Sequence, residues 1–163
     1  MFLFYVTIIE STFYLKDENM EQVKILKQLQ ADSIVFFMKV HNFHWNVKGK
    51  DFPQVHAATE KIYEEFADVF DDVAERIIQL GETPYVTLES ALKAAKIKEE
   101  SKSDFKSKDV LEAILKDYEY FLGKFQKLSI VAAEKEDSTT QGLADSQIAH
   151  LEKAIWMLKA QLA

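Results

Sequence analysis

Apolar residues recur at helical spacing through most of the chain. Over residues 21–47, Leu26, Leu29, Ile34, Phe37 and Val40 line one face of a first long helix, which should end in a turn at Lys48–Asp51 around Gly49. A second helix is predicted over 53–80, with Val55, Ile62, Phe66, Val69, Val73 and Ile77 as its apolar face. Pro53 in its first turn and Gly81 just past its end give the expected start and stop asymmetry. The segment Glu82–Lys106 holds a short helical pattern, Leu88 to Ala95. A third long helix begins near Ser107, read as its cap, and carries Val110, Ile114, Tyr118, Phe121, Phe125 and Leu128. After a polar stretch, Asp137–Gly142, a fourth runs to the terminus through Ile148, Leu151, Ile155 and Leu158. The pattern therefore predicts an all-α fold of four long helices. Residues 1–15 stand apart as an apolar, aromatic run with no basic region before it, and it is too short to span a bilayer.

Composition agrees with a single helical domain: 163 residues, 48% hydrophobic, with four Gly and two Pro. The absence of Cys excludes disulfides and thiolate metal sites, and suits a cytoplasmic protein that meets oxidants. The net charge of −7 disfavours nucleic acid as a partner, because phosphate binding rests on Lys and Arg displacing counterions. It suits attraction of cations instead.

Candidate chemistry is concentrated around the first helix-to-helix turn. His44 and His56 flank that turn and can converge, and Asp71 and Glu75, four residues apart, share one face of the second helix. The fifteen residues from His56 to Asp71 span roughly 22 Å of helix, so the histidines and the carboxylates cannot hold one ion together. Two half-sites at different heights require a symmetry mate. A twofold axis running this helix antiparallel to its copy would give two equivalent shared sites per dimer. Glu60, Glu64, Asp68, Asp71 and Glu75 form an acidic stripe with little compensation from Lys61 or Arg76, which reads as a cavity wall that gathers cations; Glu65 is a lesser member. Imidazole and carboxylate donors suit iron.

The strings HWNVKGKDFPQVHAATE, from His44 to Glu60, and FDDVAERIIQLG, from Phe70 to Gly81, resemble the Dps miniferritins, the DNA-binding proteins from starved cells, and most closely their neutrophil-activating branch. The likeness extends from Met20 to Ala163. It implies a ferritin-like four-helix bundle, with a short helix between the second and third long ones, assembled into a hollow dodecamer with ferroxidase centres at dimer interfaces. On this resemblance His44 and His56 of one subunit and Asp71 and Glu75 of its neighbour bind iron. Glu60 falls where many members carry Asp as a second-metal ligand, and its longer side chain is a departure. Trp45 would lie near the iron, where it could intercept oxidising intermediates. Asp145 is the expected residue of a threefold pore, chosen from the carboxylates Glu134, Glu136, Asp137 and Asp145 near the last connection. His41, His150 and Trp156 are read as structural.

The expected activity is oxidation of ferrous iron, with hydrogen peroxide as oxidant, and storage of ferric mineral. A larger ferritin is excluded by the lack of any Glu-x-x-His. The alternatives are a nucleoid DNA-binding protein, which lacks the family's Lys-rich tail here, and a released ligand for a host immune receptor. Because the likeness begins at Met20, and Lys16 to Asn19 can encode a ribosome-binding sequence, residues 1–19 are read as an over-extension of the reading frame. A genuine leader packing on the shell is the alternative.

Overall fold

A computed structural model of the protein describes residues 20–163. The expectation about residues 1–19 lies outside the described residues. The elements are α1 (Met20–Asn46), β1 (Val47–Lys48), α2 (Phe52–Gln79), α3 (Leu88–Ala94), β2 (Phe105–Lys106), α4 (Ser107–Glu134) and α5 (Ser138–Leu162). Among the described residues, no helix is long and apolar enough to cross a membrane.

The predicted apolar faces meet in one core. Phe36 of α1, Phe66 of α2 and Phe121 of α4 touch pairwise, with ring centroids 4.5 to 5.4 Å apart, and Tyr118 lies against Phe36 and Phe66. On α1 the expected Leu26, Leu29 and Val40 are fully buried together with Phe36, while the expected Ile34 and Phe37 are only half-buried. Val35 and Phe36 are buried in their place, and α1 packs against α2, α3 and α4. On α5 the core is met by Ala144, Leu151, Ile155 and Leu158. Trp156, expected as packing, is instead 67% exposed, because it lies one residue round the helix from Ile155.

Topology follows from where the connection between α2 and α4 runs. α2 reverses tightly on α1 through Gly49, whose φ of +130° is one that residues with a Cβ rarely adopt. The chain then returns along α1, held to it at successive levels. Gln30 exchanges two bonds with the main chain of Tyr85, buried Asp32 accepts the N–H groups of Lys96 and Ile97, and Asn42 donates to the carbonyls of Glu100 and Lys102. The parallel pairing of Val47 with Phe105 and Lys48 with Lys106 closes this path beside the α1–α2 turn. So α4 starts where α2 starts, and α5 runs back beside it, the arrangement of a bundle with one long crossover.

Two helix starts differ from expectation. Ser107 is the first residue of α4 and not its cap; the Asp109 carboxylate reaches back to the Lys106 N–H. The polar stretch Asp137–Gly142 is almost wholly helical, because Asp137 caps α5 by accepting the Thr140 N–H at 3.0 Å.

Candidate metal centre

The turn at Gly49 brings the last turn of α1 against the start of α2, and the two histidines meet there. Their rings stack with centroids 3.7 Å apart. His44 Nδ1 donates to the His56 carbonyl at 2.9 Å, and His56 Nδ1 donates to the His44 carbonyl at 3.0 Å. A carbonyl oxygen can only accept, so each ring carries its proton on Nδ1 and keeps the lone pair of Nε2 available. Backbone acceptors of this kind fix the tautomer and orientation of metal-binding histidines. His44 is only 8% exposed, its Nδ1 is also 3.3 Å from the Thr59 hydroxyl, and Phe52 stacks on the outer side of His56 at 5.0 Å.

Tyr63 is a neighbour that sequence reasoning did not single out. Its ring stands edge-on to His44 at 5.3 Å and stacks on His41 at 3.8 Å. The signal was its spacing, seven residues after His56 and three after Glu60, which puts it on the same side of α2. Loss of water, then the charges of Glu60 and Glu64, hold its phenol above the usual range. His41 donates Nδ1–H to the Phe37 carbonyl at 2.9 Å and lies beside Trp45, which is 59% exposed.

Asp71 and Glu75 stand exposed on α2, and no ion pair within the described residues engages either. Arg76 does not neutralise them. Its guanidinium is turned to Asp137 at 2.7 and 2.8 Å and to the Thr140 hydroxyl at 2.7 Å. Glu75 with Asp72 lines one side of a cleft of about 320 Å³ against Thr139, Leu143 and Ser146 of α5. Glu60, Glu64 and Asp68 are likewise exposed and form no ion pair among the described residues, so the acidic stripe is a surface of α2. Glu65 differs, because it pairs with His150 at 3.2 Å and raises that imidazole's pKa.

The carboxylates of the last connection are separated by the structure. Asp137 is taken up by Arg76, Thr140 and Gln22. Asp145 lies in α5, beyond the connection it was expected to flank, and accepts the Ser129 hydroxyl at 2.6 Å. Among the described residues, no three His, Asp or Glu side chains converge as one metal-binding group. One subunit thus brings together His44 and His56 at one level of α2, and Asp71 and Glu75 at another.

The family model described as a ferritin-like domain matches residues 23–163. Over 144 residues the chain is 58% identical to the DNA protection during starvation protein of Helicobacter pylori, covering 88% of this chain and 100% of that one. The crystal structure of Helicobacter cinaedi CAIP is 62% identical, with a TM-score of 0.86 over 87% of this chain and 99% of that one. A Dps protein from Vibrio cholerae O1, described as a member of a broad superfamily of ferritin-like diiron-carboxylate proteins, is 31% identical, with a TM-score of 0.86 over 90% of this chain and 92% of that one.

Proposed function

The chain belongs to the Dps family of ferritin-like proteins, and from that premise we propose that it is a ferroxidase, one that takes up ferrous iron, oxidises it at sites shared by two subunits, and stores the ferric product in an oligomeric shell. The observation that carries this reading is the histidine pair: two imidazoles locked by reciprocal main-chain bonds, each with Nε2 available, with His56 about four turns of helix from exposed Asp71 and about five from exposed Glu75.

Iron is the substrate. His44 and His56 of one subunit and Asp71 and Glu75 of the facing one bind it, and Glu60 serves a second ion. Imidazole holds the ferrous reactant and hard carboxylate oxygens favour the ferric product. Two ferrous ions each give one electron to hydrogen peroxide, which takes up two protons and leaves as two waters. Moving both electrons at the protein releases no hydroxyl radical. Glu64, Asp68 and, less freely, Glu65 are the surface on which ferric mineral nucleates, and Asp145 contributes to iron entry. A dodecamer of this kind guards DNA by removing iron, since the net charge of −7 opposes direct binding to phosphates.

Anaerobic ferrous titration, followed by peroxide or oxygen, tests the reading on wild type and on His44→Ala with His56→Ala, with particle size measured in parallel. Wild type should oxidise two ferrous ions per peroxide, and faster with peroxide than with oxygen. The double variant should form the same particle and lose most of the rate. A double variant that assembles and oxidises iron at the wild-type rate would remove the histidines from the site.

A further inference from the structure

Away from the acidic stripe, a cleft of about 300 Å³ lies between α1, the connection after α3, and α4. Its walls carry four lysines, Lys39, Lys96, Lys98 and Lys116, in a chain whose net charge is −7. Lys39 is neutralised by Asp117 at 2.6 Å, with both side chains largely buried. Lys96, Lys98 and Lys116 form no ion pair among the described residues. The remaining acid of the lining, Glu100, directs an oxygen to the Lys102 N–H at 2.9 Å. Three ammonium groups therefore outnumber one spare carboxylate.

The lining is also held in place. Buried Asp32 accepts the N–H groups of Lys96 and Ile97 together with the Tyr120 hydroxyl, and Asn42 anchors the Glu100 carbonyl. Ile97, between two of the lysines, is buried, so the main chain that carries them cannot swing away. The main chain is fixed while the exposed ammonium groups can turn to meet an anion, and lysine is an effective point charge for phosphate.

We propose that this cleft binds a small phosphate-bearing anion, either inorganic phosphate or the phosphate of a mononucleotide. Its volume is at the low end for ligand pockets, which suits a small solute. The recessed Lys39–Asp117 pair at its wall offers nothing to a duplex, whose phosphates lie on a convex surface. This site is independent of iron, and its test involves no oxidation.

The test is calorimetric titration of the full chain, freed of iron by chelation, with inorganic phosphate and separately with adenosine monophosphate, while a gel shift follows a short DNA duplex. Wild type should bind at least one of the two small anions saturably, and their order of affinity identifies the source. Lys96→Gln with Lys98→Gln should weaken binding by about tenfold or more. Lys24→Gln with Lys50→Gln removes the same charge elsewhere and should leave affinity unchanged. No saturable binding of either anion overturns the proposal, as does equal weakening by both variant pairs. Binding of the duplex alone, sensitive to Lys96 and Lys98, overturns it in favour of nucleic acid. Circular dichroism and sizing confirm that each variant is folded.

Discussion

Asp137 shows how one side chain can hold three elements in register. Burial alone would push its carboxyl up, but bonds from Thr140 and Arg76 outweigh that and hold it at about 2. The folded value lies below the ordinary 3.8, so this residue contributes stability above that pH and loses the contribution as pH falls towards 2. The difference in melting temperature between wild type and Asp137→Asn should accordingly be large at pH 6 and shrink below about pH 3. A constant difference across that range would mean that charge is not what Asp137 supplies. Arg76→Ala strands the same carboxylate, and denaturant unfolding should show a loss of about 2–3 kcal/mol, less than a fully buried pair would cost. At its neighbour Glu136 the backbone has φ of +55°, where glycine is favoured. Glu136→Gly should stabilise the fold by about 1 kcal/mol; a lower melting temperature would show that the side chain is needed there.

Among the elements, the long helices were legible because their apolar residues keep helical spacing, and Gly49, Pro53 and Gly81 mark reversals and ends that leave few alternatives. What periodicity could not give was the path of the crossover. It is written in isolated polar residues of α1, Gln30, Asp32 and Asn42, which look like ordinary surface positions until the returning chain is laid against them. The histidine pair was legible because a short turn forces its flanks together. Tyr63 was not, because a tyrosine at helical spacing usually means core. Asp32→Ala leaves two main-chain N–H groups and the Tyr120 hydroxyl without their acceptor, which should cost about 3–5 kcal/mol. Hydrogen exchange should quicken in residues 95–105 before it does in the four long helices. Unchanged exchange there would show that the strand pairing alone holds the crossover.

At the scale of the whole molecule, the proposed function has one chain carry two half-sites, each completed only by a second copy. On that proposal the assembly is part of the chemistry, since a folded monomer offers two imidazoles without Asp71 and Glu75 at one level and those two carboxylates without imidazoles at the other. The direct measurement mixes two variants after co-refolding at equal ratio: one carries His44→Ala and His56→Ala, the other Asp71→Ala and Glu75→Ala. Each variant alone should form a shell without ferroxidase activity. In a mixed dimer, one site has lost all four ligands and the other has kept all four, so random pairing should restore about a quarter of the wild-type sites. Mixtures that form shells of normal size yet oxidise iron no faster than either parent would contradict a site shared between subunits.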